Sequence, residues 1–136
     1  MGWIGGRYAA TPQRYSRGVT EAPRTRPEPH TVLRSFAGTI HANPDAVFAA
    51  LAARVQTGEG LYTADAADRV IVVQGGWWYR AEYAVLQVDE GSRIEFELLN
   101  VAPTMHRLGA LTGRAVVRDS PRVFGELLTA IVEAVE

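Results

Sequence analysis

The order in which amphipathic segments follow one another most constrains how this chain folds. Val32–His41 alternates loosely, with Val32, Phe36 and Ile40 on one side and Ser35, Thr39 and His41 on the other, and predicts a strand. A helix start follows at once. Asn43 offers an N-cap oxygen, Pro44 suits the first helical position, and Asp45 complements the positive helix end. Val47, Phe48, Leu51 and Val55 then recur at helical spacing, and Gly58 and Gly60 mark the end. Strands fill the stretch from about Leu61 to Val101. A second helix start at Ser120-Pro121 leads into an apolar stripe of Phe124, Leu127, Leu128, Ile131 and Val135. Strand, helix, sheet and closing helix in that order predict an α+β fold: an antiparallel sheet gripping a C-terminal helix, with room for a pocket between them.

The middle of the chain sets the sheet. Arg69–Gln74 contains the β-branched run VIVV, and Gly75-Gly76 suits a two-residue hairpin turn. Trp77–Val88 is a long strand, 89–92 a four-residue turn, and Arg93–Val101 alternates cleanly. The first turn sets Val72 opposite Tyr79 and Arg69 opposite Glu82; the second sets Val85 opposite Phe96. Both registers place Val70, Val72, Tyr79, Ala81, Tyr83, Val85, Ile94, Phe96 and Leu98 on one inward face. Ile71, Val73 and Trp78 then share the outer face with Arg80, Glu82, Glu95 and Glu97, an expected wet salt-bridge ladder. Residues 61–68 fit either a short helix or a loop. Residues 102–118 are interrupted by Pro103, Gly109 and Gly113, so the last helix is expected to be short.

Residues 1–30 contain four Gly, four Pro and five Arg without periodicity and predict a mostly irregular N-terminal arm, leaving residues 31–136 as the folded domain. The arm is basic, with five Arg against Glu21 and Glu28, and the remainder is acidic, with nine Arg against thirteen acids. Trp3, Ile4, Tyr8 and Tyr15 are apolar cargo that suits docking on a surface patch. The net charge of −1 and the acidic domain disfavour nucleic acid as a partner. With no long apolar run, neither a membrane span nor a secretory signal is expected, and a cytoplasmic location is the default.

No motif announces catalysis. The chain has no Cys, and His30, His41 and His106 have no ligand-type spacing, so neither a metal site nor a cofactor is expected. Ser16, Ser35, Ser92 and Ser120 lie outside any nucleophile elbow. The glycines at 2, 5 and 6 have no strand before them, and the phosphate-loop pattern fails. The aromatic inward face is the remaining chemical feature. Trp77, Tyr79, Tyr83, Phe96 and Leu98 would line a mostly apolar pocket with a few polar handles. Phe124 and Leu128 would close it from the helix, with His106 at its mouth.

Three stretches carry a resemblance: FAGTIHANPDAVFAALA, VIVVQGGWWYRAEYAVLQV and PRVFGELLTAIVEAVE. Over about residues 31–136 the pattern resembles the SRPBCC or START-like superfamily, the helix-grip fold that includes polyketide cyclase-like proteins. The GGWWYRAEY stretch is similar to small actinobacterial members. The resemblance implies a sheet curved around a C-terminal helix with a cavity for apolar ligands, here with a reduced count of four or five strands. Binding of a small hydrophobic or aromatic molecule is the first expectation. Two others stay open. One is a cyclase or aromatase in which Tyr79, Tyr83 and His106 position a substrate and move protons. The other is an interaction module that forms a homodimer through Ile71, Val73 and Trp78, or through the arm.

Overall fold

A computed structural model describes residues 21–55 and 60–136. The elements run β1 (Thr31–Ile40), α1 (Pro44–Val55), β2 (Leu61–Asp65), β3 (Val70–Gly75), β4 (Tyr79–Val88), β5 (Gly91–Asn100), α2 (His106–Thr112) and α3 (Arg114–Val135). The five strands form one antiparallel sheet in the order β1-β5-β4-β3-β2, with α1 and α3 packed on one face. The fold is the expected α+β arrangement of a sheet gripping its C-terminal helix.

The entry to α1 forms as its residues dictate. Asn43 Oδ1 accepts from the backbone N–H of Asp45 at 2.8 Å and of Ala46 at 3.4 Å, satisfying donors that the first helical turn leaves free. Val47, Phe48, Leu51 and Val55 are the buried face. Arg69 Nε donates to Asp45 Oδ1 at 2.8 Å, which ties the start of α1 to the turn before β3.

Both hairpin registers differ from the sequence expectation, with unequal consequences. β4 and β5 are joined at Val88↔Gly91 by a two-residue turn, so Tyr83 faces Phe96 and Val85 faces Ile94. A slip of two residues preserves the face, and Tyr79, Ala81, Tyr83, Val85, Ile94, Phe96 and Leu98 all point toward the helices as expected. The β3–β4 loop is three residues, Gly76 to Trp78, not two, and pairs Gly75 with Tyr79, Val73 with Ala81 and Ile71 with Tyr83. An odd slip inverts the strand. Ile71 and Val73 join the helix-side core, while Val70 and Val72 turn to the other face. Glu82 sits opposite Val72, not Arg69.

Trp78 leaves the expected outer patch as well. It lies in the loop, buried, edge-on to Tyr79 with ring centroids 5.5 Å apart. Its ring fills the space where a Cβ on Gly113 would stand, 2.0 Å from Trp78 Cζ2, so only glycine fits at the α2–α3 joint. Ile71, Val73 and Trp78 therefore belong to the chain's own core and do not form the outer patch expected for a homodimer. Trp3, Ile4, Tyr8 and Tyr15 of the arm lie outside the described residues.

Leu61–Asp65, expected to be a short helix or a loop, is the edge strand β2, paired with β3 from Leu61↔Gln74 to Asp65↔Val70. The last helix is long. It starts at Arg114 and carries Pro121 inside it. Pro121 has no N–H for the carbonyl of Val117, and the Ser120 hydroxyl donates to that carbonyl at 2.7 Å instead. Ser120 thus repairs the break that it was expected to cap. Gly109, read as a helix interrupter, sits inside α2, where its missing side chain makes room for Asn100.

The face away from the helices is partly covered. Residues 21–30 cross it as a strap. Ala22 is buried, and its carbonyl accepts from the Thr63 hydroxyl at 2.7 Å. Arg80 is 0% exposed. Its guanidinium donates to Glu82 at 2.7 Å, to Gln74 Oε1 at 2.9 Å, and to the strap carbonyls of Pro23 and Arg24 at 2.8 and 3.1 Å. Arg26 forks onto Glu82 at 2.8–3.1 Å and also pairs with Glu97, while Arg24 pairs with Asp65. Burial pushes the Glu82 carboxyl up, but the hydrogen bonds from Arg26 and Arg80 outweigh it and hold Glu82 below the usual carboxylate range. The expected surface ladder divides: Arg80 and Glu82 are covered by residues 21–30, while Glu95 stays exposed, paired with Arg93.

Candidate functional site

The site is built where α3 crosses the inward face of β4 and β5. Period-two alternation brings Tyr79, Ala81 and Tyr83 of β4 beside Leu98 and Phe96 of β5. Phe124 of α3 lies over them and stacks on Phe96 at 5.5 Å, and Phe36 of β1 stacks on both rings at 6.0 and 5.7 Å. Tyr83 tilts against Phe96 at 5.0 Å. Gly38 lets the helix come this close: a Cβ there would stand 2.5 Å from the Leu128 Cδ1 atom.

Beyond this aromatic stack the helix and sheet part, leaving a cavity of about 280 Å³. Its sheet wall is Tyr79, Tyr83, Phe96 and Leu98, and its helix wall is Ala115, Val116, Ser120, Val123, Phe124 and Leu127. Asp119 and Arg122 stand at the helix side. A second hollow of about 390 Å³ shares Tyr79, Tyr83, Val123 and Leu127 with it and reaches Val73, Gly75, Val55 and Arg54 at the end of α1. The two phenols therefore border both spaces. A larger concavity of about 570 Å³ lies on the opposite side of the sheet, among Arg24, Glu82, Arg93, Glu95 and Glu97. Arg24, Glu82 and Glu97 belong to the ion-pair layer of the strap, and Arg93 and Glu95 pair with each other at 3.0 Å. The helix-side hollows are the better shape for an apolar molecule.

The electrostatics of the inner cavity are quiet. Burial pushes the Tyr79 hydroxyl above its ordinary range. Burial, and then the neighbouring Tyr79, push Tyr83 higher still. Both phenols stay protonated at neutral pH and are donors, not bases. Among the described residues neither phenol oxygen has a hydrogen-bond partner, which leaves two unused polar groups on residues that border an apolar space. Arg118 holds Asp119 below the usual carboxylate range by a hydrogen bond of 3.1 Å, with a smaller contribution from the Arg122 charge.

Of the residues expected to bind a ligand, Tyr79, Tyr83, Phe96, Leu98 and Phe124 line this cavity. Trp77 does not; it sits at the hairpin tip, 36% exposed. Leu128 packs against Gly38, one turn further along α3. His106 starts α2, where its ring nitrogens contact the Ala102 carbonyl at 2.8 Å and the Thr31 hydroxyl at 2.9 Å. It is spent on holding the β5–α2 connection against β1. Sequence reasoning missed Ala115, Val116, Asp119, Val123 and Arg54. Val116 and Val117 lie at helical spacing from Val123 and Phe124, but Pro121 has the look of a helix start and hides it.

No protein-family model matches the chain, and no curated protein sequence does. Among solved structures, the chain is similar to TTHA0849 from Thermus thermophilus at 17% identity and a TM-score of 0.43, over 77% of this chain and 95% of that one.

Proposed function

We propose that this protein is a small-molecule binding module of the START-like, SRPBCC type, which holds an apolar or aromatic ligand between its sheet and its C-terminal helix. The observation that carries this reading is the cavity of about 280 Å³ walled by Tyr79, Tyr83, Phe96, Leu98 and Phe124, whose two phenols have no hydrogen-bond partner among the described residues. Such a wall buries a planar or branched hydrocarbon body and offers it two directional contacts. The cyclase-type alternative is less well supported. It needs Tyr79, Tyr83 and His106 around one substrate, yet His106 does not line the cavity and both phenols are poor bases near neutral pH.

Native mass spectrometry of the protein purified from its own host tests the reading. A co-bound small molecule, lost in a Tyr83→Trp variant that fills the cavity, is the expected result. A clean unliganded mass, with no thermal shift across a library of aromatic and lipid molecules, would count decisively against it.

A further inference from the structure

Two arginines border the helix-side hollows, and they differ in what holds them. Arg122, at the α3 side, faces carboxylates: Glu126 at 3.1 Å and Asp119 at 3.9 Å. Its charge is already compensated. Arg54, at the end of α1, lines the adjoining hollow with Tyr79 and Tyr83. Among the described residues its guanidinium makes one hydrogen bond, from Nη1 to the Ala50 carbonyl at 2.9 Å, and meets no carboxylate. One of five N–H donors is used there, and the others remain for a guest.

We infer that the ligand of this pocket is an aromatic or apolar acid, its anionic group held at the α1 end by Arg54 and the phenols of Tyr79 and Tyr83, its body lying toward Phe96 and Phe124. This deepens the proposed function and rests on it. The pocket has a direction. At the α3 mouth Asp119 and Arg122 are each paired with opposite charge, while Arg54 at the other end meets no carboxylate among the described residues and attracts an anion. Between them lie only apolar side chains and neutral hydroxyl donors. A carboxylate or sulfonate accepts from phenol O–H groups and from a guanidinium at once, and such charge-assisted contacts are stronger than neutral ones. A neutral hydrocarbon would leave both phenols and the guanidinium unused, and a cationic ligand would meet Arg54 with the wrong sign.

Calorimetric titration with sodium 2-naphthoate, its neutral isostere 2-naphthamide and 2-methylnaphthalene tests this. The protein is the full chain, with Arg54→Gln and Arg54→Lys as variants. Arg54 is exposed, so neither change disturbs the core. The expected result is that naphthoate binds about tenfold more tightly than naphthamide. Arg54→Gln should abolish that preference and Arg54→Lys retain part of it, with added salt narrowing it. Equal binding of naphthoate and naphthamide, or a preference that survives in Arg54→Gln, overturns the assignment of an acid while leaving the pocket intact. No binding of any of the three probes overturns both the acid and the pocket.

Discussion

The two faces of the sheet are both covered, but by opposite chemistry. On one, α1 and α3 bury aliphatic and aromatic side chains, and the imperfect fit of α3 over Tyr79 and Tyr83 leaves a hollow. On the other, a strap without regular structure buries Arg80 and pairs with Glu82 and Glu97 through its own arginines and carbonyls. Packing of rigid helices on a pleated surface leaves space wherever side chains fail to interdigitate. A charged layer leaves its members little freedom, because each buried polar group must find a partner. Hollows lie on both faces, but those under α3 are walled by aromatic and aliphatic side chains and the one on the strap face by paired charges.

That contrast is exposed to direct attack. Arg80→Ala should have the largest effect. It leaves the carbonyls of Pro23 and Arg24 and part of Glu82 without their donor, and losing one member of a buried pair typically costs about 3–5 kcal/mol. Urea denaturation measures this, and a loss under about 1 kcal/mol would mean that water reaches this layer as it does an exposed pair. Next comes Phe124→Ala, expected to destabilise by about 3 kcal/mol, the low end for a buried aromatic, because its site already opens on a cavity. The same variant should leave salt sensitivity unchanged, since Phe124 is uncharged and its stacking partners are Phe36 and Phe96.

Arg26→Ala should cost about 1 kcal/mol at low salt and less at high salt, since its pairs with Glu82 and Glu97 are only partly buried. Glu82 makes the strap face pH-dependent. Its folded-state carboxyl titrates below its unfolded value, so its contribution is complete above roughly pH 4.3 and is lost as pH falls through the folded value. The stability gap between the wild type and Glu82→Gln, followed by denaturation from pH 7 downward, should therefore narrow only on the acid side. Ser120→Ala frees the Val117 carbonyl beside Pro121 and should cost about 1 kcal/mol without changing either face.

Much of the helix face was legible in the sequence, and the strap face was not, for a physical reason in each case. Alternation along β4 and β5 marks Tyr79, Tyr83, Phe96 and Leu98 as inward whatever the turn between them, because a slip of two residues keeps the face. The β3 strand failed because VIVV is apolar on both sides, so pattern offers no choice of face and the loop length decides. Gly75-Gly76 suggested two residues; the burial of Trp78 against Gly113 draws a third into the loop. Nothing local in Glu21–His30 foretells a strap, since its order comes from partners about forty to seventy residues away in sequence, such as Asp65 and Glu97. At the pocket, the sheet wall was readable and half of the helix wall was not. Pro121 resembles a helix start, and only the Ser120 hydroxyl on Val117 shows how the helix runs through it.

The pocket exists only if the aromatic side of β4 and β5 faces α3. Nuclear Overhauser contacts between the ring protons of Phe96 and Phe124, whose centroids lie 5.5 Å apart, test this most directly. Strong cross-peaks between these rings, and from Tyr83 to Phe96, are predicted. Their absence, with Phe96 instead contacting residues 21–26 of the strap, would place the aromatic face on the wrong side of the sheet and contradict the pocket.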